Sequence, residues 1–556
     1  MKKNIIFRVS LLILFLLMFF GANAQDDFNQ TKTTRISRNF DIFNSVLREL
    51  DLNYVDTLDY GKIVTNGIDY MLANIDPYTI YIPESQEDDL TMMTSGEYAG
   101  IGALIQQNAQ GQIFIAEPFE GKPAQKNDVR AGDIILFVDG ISTKNLTTSQ
   151  VSEKLKGYPN SVIKLKLQRL GIEKPVEKEF LREKIVMDAV SYYTDIQPNI
   201  AYILLSDFTD HAALEVKNAL NQINEKSPLQ AVILDLRDNG GGLINEAITI
   251  LSYFLPKGTT VVTTKGKLST ANRIYKTPVE PIFPNVQLAV LTNNNTASAS
   301  EIIAGAVQDL DRGIVIGERT FGKGLVQSVR PVSFGGYLKV TTAKYYIPSG
   351  RCIQAINYSN RNSDGGIMYV PDSLTKVFYT ANGRKVKDGG GITPDSLVND
   401  ERNVNIAYYI YAKNLYFDYA NIFVQNNPTI APPESFNISD ENFNDFVKYL
   451  KDNNFTYTNT SEKYFEELKK AAKFDGISEQ AREEFNALQK KLKPDLDADI
   501  QAHKTDIENF LGLEIIRRYY FQKGEIIYSM QNDKYIDAAL GLLNNTLIYN
   551  KILNKK

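Results

Sequence analysis

Hydrophobic positions change their spacing several times along this chain, and each change marks a boundary. Residues 39–75 repeat at helical spacing: Phe40, Phe43, Val46, Leu47 and Leu50 form one stripe, continued by Ile63, Ile68, Met71, Leu72 and Ile75. Asp76-Pro77 and Pro83 then break the pattern. From about Gly96 to Arg182 the texture becomes short strands and turns, as in IGALIQ, QIFIAEP, DIILFVDG and the alternating SVIKLKLQR, with one helix predicted at 147–156. From about 184 to 355 strands alternate with helices. NIAYILLSDF, LQAVILDLR, VQLAVLTN, RGIVIGE and LKVTTAKYYI read as strands, and helical patterns fall at 211–224, 243–255 and 299–310. After GGGITPD (389–395) the chain turns rich in Asn, Tyr, Phe and Lys and reads as helical. It holds a proline-bearing linker at 426–435 and an amphipathic stripe at Phe443, Phe446, Val447 and Leu450. The expected architecture is α/β and multidomain: a helical segment over 25–92, a β-rich module over 93–183, an α/β core over 184–400 and a helical extension over 401–556.

The first residues predict a leader rather than fold. Lys2, Lys3 and Arg8 precede an apolar run from Val9 to Phe20, and Ala22-Asn23-Ala24 follows. That is the layout of a signal peptide over 1–24, cleaved after Ala24. The run is shorter than the ~20 residues a spanning helix needs. No cysteine follows it to carry lipid, and no later segment is apolar enough to span. The expectation is an exported protein, periplasmic or otherwise extracytoplasmic, without a transmembrane span once the leader is removed.

Composition narrows the chemistry. A chain of 556 residues suggests three or four domains at about 150 residues each. A net charge of −5 without like-charged blocks argues against nucleic acid or an anionic membrane as partner. The single cysteine, Cys352, excludes an intramolecular disulfide and multi-cysteine zinc patterns. Only two histidines, His211 and His503, make a histidine-based triad or a multi-histidine metal site hard to assemble. No metal or other cofactor is expected.

Against that background two motifs stand out. QLAVLTNNNTASASEIIAGAV reads as strand, polar loop and helix, which places Ser298 where unpaired N–H groups and the positive end of a helix dipole converge. The N–H of Ala299 is a candidate oxyanion donor. A second comes from the glycine loop DNGGG (238–242), with Gly241 as the chosen residue. Ser298 and Glu301 also fit S-x-x-E, a capping box that needs no catalysis, and Ser300 is an equal candidate for cap or nucleophile. The second motif is GERTFGKGLVQ (317–327). Its G-x-x-x-x-G-K approaches a phosphate-binding loop, but Gly324 stands where Ser or Thr should bind magnesium, and strand rather than helix follows. Lys323 is instead a candidate base. It would have to be neutral near working pH, some units below the ordinary value of about 10.4. Gln327 lies four residues on, on the same side of a strand, to hold the amine. Asp309 returns to nearly the face of Ser298 but ~16 Å further along a helix, so within one straight helix it cannot touch the serine and takes a structural role.

TASASEIIAGAVQD, GERTFGKGLVQ and the upstream LDLRDNGGGL together resemble the C-terminal processing peptidases, or tail-specific proteases, over roughly residues 40–400. The resemblance implies a Ser–Lys serine endopeptidase with a PDZ domain before an α/β core related to the crotonase-like folds. It implies Ser298 as nucleophile, Lys323 as general base, Gln327 as its positioning partner, and Gly241 and Ala299 as oxyanion donors. Asp309 matches the family's acidic position. The insert resembles the PDZ module, with Gly100, Ile101, Gly102 and Ala103 standing where that family has its carboxylate-binding loop. The implied partners are protein substrates with free, apolar C-termini, gripped by the insert and cut by the core. The extension beyond 400 lies outside the resemblance, and its helical stripes suggest a homo-oligomer or adaptor contact. Two other classes compete: a non-catalytic PDZ-containing binding or scaffold protein for C-terminal tails, and an acyl-CoA-type enzyme on the same core. The presence of both Ser298 and Lys323 favours the protease over the first. Export and the lack of an evident CoA site argue against the second.

Overall fold

The computed structural model describes residues 33–361, 367–398 and 405–555. The leader read at 1–24 lies outside the described residues, and no described helix is long and apolar enough to cross a membrane. The described residues form two compact units, divided between Tyr81 and Ile82.

In the first unit helix α1 runs over 33–53 and α2 over Tyr60–Ala73. The Asp59 carboxylate accepts the Lys62 N–H and so starts α2. Beyond α2, the Asp76 carboxylate accepts from the N–H groups of Tyr78 and Thr79 and folds the chain into a turn. Of the apolar stripe only Leu72 is buried, whereas Phe40, Phe43, Val46 and Met71 are exposed.

The second unit begins with a β-rich module. Strand β1 (Glu97–Gly100) pairs with β7 (Glu183–Val186), so entry and exit lie side by side. Between them β2 (Ala103–Gln107), β3 (Ile113–Pro118), β4 (Ile134–Val138), β5 (Val162–Gln168) and β6 (Val176–Leu181) form an antiparallel sheet in that order. Helix α3 (Thr148–Leu155) starts at a Thr147 cap and packs near β2. The alternation of VIKLKLQ explains the layering, since Ile163, Leu165 and Leu167 are buried together with Val151 and Leu155 of α3.

The core that follows is a parallel sheet with one antiparallel edge. Its strands run β8 (Val190–Gln197), β9 (Ile200–Leu205), β10 (Ala231–Asp235), β13 (Gln287–Thr292), β14 (Ile314–Gly317) and β17 (Ser396–Leu397), with only β8 antiparallel to its neighbour. Every residue of β10 is buried, as expected where both faces of a parallel strand are covered. Helices α4 (Ala212–Lys226), α5 (Ile244–Ser252) and α6 (Ala299–Asp309) cover one face. A second, antiparallel set links β12 (Arg273–Lys276), β11 (Thr260–Gly266), β16 (Tyr337–Tyr346) and β15 (Leu325–Pro331).

The stretch read as an extension over 401–556 divides between two tasks. Helices α7 (Ile406–Ala412), α8 (Leu415–Asn426), α9 (Asp440–Asp452), α10 (Thr460–Phe474) and α11 (Lys504–Ser529) include an aromatic core that buries Phe443, Phe446 and Leu450. This bundle touches the β-rich module, with the rings of Phe114 and Phe417 5.0 Å apart. Helices α12 (Lys534–Leu543) and α13 (Thr546–Ile552) instead cover the second face of the core sheet. Ile536, Ala539, Leu543 and Tyr549 pack there on Tyr202, Ile233, Leu291 and Ile316. The Leu288 N–H donates to the Tyr549 hydroxyl at 3.0 Å, which pins α13 to β13. The core sheet therefore draws one of its two hydrophobic layers from the end of the chain.

Candidate active site

The turn from β13 into α6 carries Ser298. Thr296 ties the turn down, its hydroxyl donating to the Leu236 carbonyl at 2.8 Å. Ser298 has φ 58° and ψ −116°. A residue bearing a β-carbon pays about 1–3 kcal/mol for such a conformation, and an ordinary helix cap is extended instead. Capping alone does not account for this residue. The two candidate serines differ in burial. Ser300 is fully buried and its hydroxyl donates to the Asn239 carbonyl, whereas Ser298 is part-exposed.

Glu301 links Ser298 to Lys323. It is fully buried and its carboxylate accepts four hydrogen bonds. Oε1 takes the Thr320 hydroxyl at 2.6 Å and the Gly322 N–H at 2.7 Å. Oε2 takes the N–H of Ser298 at 2.9 Å and that of Lys323 at 2.8 Å. One oxygen atom thus holds the backbones of both residues. The Tyr345 hydroxyl reinforces this link, donating to the Lys323 carbonyl at 2.7 Å and lying 3.0 Å from that of Ser298. Burial pushes the Glu301 carboxyl up to about 7, against the opposing pull of its four donors.

Lys323 is half-buried between two buried glycines. A β-carbon on Gly322 would lie 2.4 Å from that of Ala355, and one on Gly324 would lie 2.9 Å from the Gln354 nitrogen. The glycines let this loop press against residues 354–355. Strand β15 follows, not a helix, so the phosphate-loop geometry is not formed. Gln327 sits beyond an irregularity in the β15–β16 register, and its amide donates to the Thr341 hydroxyl at 3.4 Å.

Gly241 and Asp309 sit in different settings. Gly241 does lie against the serine: at φ 104°, a β-carbon there would come 2.7 Å from Ser298 Cβ. Its N–H, however, donates to Asn239 Oδ1 at 2.8 Å, so this donor is turned into the loop. Asn239 is itself buried and donates to the Leu205 carbonyl, which explains why it dictates the loop's hydrogen bonds. Ala299, the other expected donor, opens α6 and is buried. Asp309 closes α6 at the opposite end from Ser298. There Oδ1 accepts from Arg351 Nη2 at 2.8 Å, with both side chains buried, and Oδ2 accepts the Ser349 N–H. This buried ion pair lies at the far end of α6 from the serine.

In the β-rich module, Gly100 ends β1 and Ala103 opens β2, with Ile101 and Gly102 between them. The Ile101 carbonyl accepts from Ala124 N–H and the Gly102 carbonyl from Phe119 N–H. Because N–H and C=O of one trans peptide point opposite ways, the N–H groups of Gly102 and Ala103 face away from these partners. Strand β2 stands at the end of its sheet, paired with β3 alone. An edge strand beside a helix, headed by outward amides, is suited to receive an extended peptide as a further strand.

Outside these features, His211 precedes α4 and pairs with Asp210 and Glu215. Burial raises the Cys352 thiol, which opposes a nucleophilic thiolate. Glu301, Tyr345 and Asn239 are the participants the sequence reading missed. The S-x-x-E spacing flagged Glu301 only as a cap.

Comparison with known proteins bears on three parts of the chain. The model of peptidase family S41 matches residues 199–360, the PDZ domain model residues 89–168, and a C-terminal helical domain of probable PDZ-proteases residues 406–543. A carboxy-terminal-processing protease of Bartonella bacilliformis is 33% identical over 360 residues, covering 64% of this chain and 81% of that protein. A carboxyl-terminal-processing protease of Synechocystis sp. is 37% identical over 287 residues, 51% of this chain and 66% of its own. Among solved structures, a photosystem II D1 C-terminal processing protease is 27% identical, with a TM-score of 0.35 over 64% of this chain and 86% of that one.

Proposed function

We propose, from the premise that the chain belongs to the carboxy-terminal-processing protease family and is a serine protease with a PDZ domain, that Ser298 is its nucleophile and Lys323 its general base. The observation that carries this reading is the Glu301 carboxylate oxygen that accepts from both backbones at 2.9 and 2.8 Å. A carboxylate buried at that cost, holding a strained serine beside a glycine-flanked lysine, is hard to explain as helix capping alone. The neutral amine takes the serine proton, the alkoxide attacks a peptide carbonyl, and the protonated amine then serves the leaving nitrogen. Water hydrolyses the acyl-enzyme. Gln327 steadies the lysine side of the site, and the Ala299 N–H is the first oxyanion donor. Gly241 becomes the second only when its amide leaves Asn239, so the geometry described here is read as a resting form.

The substrate enters by its tail. A free, apolar C-terminus adds antiparallel to β2, with its carboxylate on the amides of the 100–103 loop. The alternation of strands and helices in the core supports a crotonase-related ancestry. The charged and apolar leader supports export. A scaffold role without cleavage would require the Ser298 strain and the Glu301 burial to serve nothing.

The test is degradation of an unstructured protein with an apolar C-terminus by the wild type, Ser298→Ala and Lys323→Ala, with the substrate tail free or amidated. Cleavage is expected to vanish in both variants while tail binding persists, and amidation is expected to slow the wild type. Undiminished cleavage by either variant would remove that residue from the chemistry. Equal rates on both tails would remove carboxylate recognition.

A further inference from the structure

The loop that carries Gly241 is anchored by a charge cluster at the end of β10. Asp235 is fully buried and accepts from the Tyr202 hydroxyl at 2.8 Å. Arg237 Nε donates to both Asp235 oxygens at 3.0 Å. Its Nη2 pairs at 2.8 Å with Asp533, nearly three hundred residues later in the chain. The guanidinium also lies over the Tyr535 ring, 4.8 Å from its centre. The other Asp533 oxygen accepts the N–H groups of Tyr535 and Ile536 and so starts α12.

Arg237 opens the stretch that reaches the serine. The next residue, Asp238, has φ 59° and accepts from the side-chain amides of Asn293 and Asn295. Asn239 directs Gly241, and Gly241 packs on Ser298. The core supplies only one of the two carboxylates that hold Arg237. Asp235 takes Nε and Nη2 side by side, and Asp533 binds the same Nη2, so the second acid clamps the outer edge of the planar guanidinium.

We propose that Asp533, contributed by the helical C-terminal region, is a positioning residue for acyl transfer at Ser298. Through Arg237 it fixes the direction of residues 237–242 and the distance between their amides and the serine. The helical region is on this account part of the catalytic unit and not an appendage to it. The proposal rests on the reading of Ser298 as the nucleophile.

Asp533→Asn isolates the effect, because Asn caps a helix as well as Asp while removing the charge. With an unstructured protein bearing an apolar C-terminus as substrate, kcat per folded molecule is expected to fall on the order of tenfold, less than the roughly hundredfold that a 1 Å misplacement at a reacting centre can cost. KM and tail affinity are expected to stay within about twofold, as the tail is held on β2. Asp533→Glu is expected to recover part of kcat. Should the Asn variant fail to fold, Asp533→Ser, which also caps, gives the same comparison. Unchanged kcat, or a loss that only tracks unfolded protein in thermal melts, overturns the proposal. The controls separate the two readings. If Ser298→Ala still cleaves, the nucleophile assignment fails, whereas a dead Ser298→Ala beside a fully active Asp533→Asn removes only the role of Asp533.

Discussion

Asp309→Asn separates a structural acid from a catalytic one, and its cost can be worked out from the site. The side chains of Asp309 and Arg351 are 0% and 1% exposed. The guanidinium divides its donors between Asp309 Oδ1 at 2.8 Å, Gln308 Oε1 at 2.7 Å and the Lys387 carbonyl at 2.9 Å. Neutralising Asp309 keeps one acceptor but leaves a buried positive charge without its counter-ion. Removing one partner of such a pair costs about 3–5 kcal/mol. Because the Asn oxygen retains a hydrogen bond, the lower end applies, and at roughly 2–4 °C per kcal/mol the melting point falls by about 6–12 °C. Adding Arg351→Met removes the stranded charge and is expected to restore part of the loss, so the two changes will not be additive. Thermal unfolding of the single and double variants, with turnover measured below both transitions, reads these quantities. Turnover per folded molecule is expected to stay close to wild type, since α6 separates Asp309 from Ser298. A variant that melts like wild type but no longer turns over would refute the reasoning and return Asp309 to the chemistry.

Two further outcomes follow from the serine's neighbourhood. Glu301 is held up near 7 from an ordinary 4.5 by burial, so the folded state binds its proton more tightly than the unfolded chain does. The stability this proton contributes is complete below about 4.5 and is lost as pH rises through 7, a change of roughly 3 kcal/mol. Denaturant melts of wild type and Glu301→Gln from pH 5 to 8 are therefore expected to show the wild type losing ground to the variant as pH rises. A pH-independent gap between them would contradict the burial argument. Gly241→Ala places a methyl group 2.7 Å from Ser298 Cβ in a backbone region that L-residues avoid. Either the loop or the serine must shift by about 1 Å, and cleavage is expected to drop on the order of a hundredfold. An active Gly241→Ala enzyme would mean that this loop does not set the serine's geometry.

Much of this molecule is legible without coordinates. The core strands follow continuous apolar runs such as AVILD, and the helices at Ala212–Lys226, Ile244–Ser252 and Ala299–Asp309 fall where the spacing put them. Those signals are local, since a strand's two-residue period and a helix's turn are written in neighbouring side chains. For the same reason the motifs around Ser298 and Lys323, the glycines of 238–242 and the segment resembling a carboxylate-binding loop could be picked out by type and spacing. The α/β class and the serine protease reading needed nothing more.

Hydrogen-bond direction and remote partners needed the fold. Whether Ser298 or Ser300 faces outward depends on the Asn239 carbonyl, some sixty residues upstream, which captures the Ser300 hydroxyl. The Gly241 amide looked available by sequence, yet a buried Asn239 takes it. Helix spacing kept Asp309 away from Ser298, but that Arg351 is its partner at the far end of the helix appears only in the fold. Glu301 read as a cap because its bonds to Gly322 and Lys323 form only when β14 and the following loop fold back beside α6. Residues 534–552 read as part of a helical extension with an oligomer or adaptor contact, but a sheet with one bare apolar face must find a second layer, and these helices supply it. The sequence by itself determined the elements and the chemical cast, because those reside in short-range pattern. Tertiary structure decided which donor meets which acceptor, because a buried polar group takes whatever partner packing brings to it, however distant along the chain.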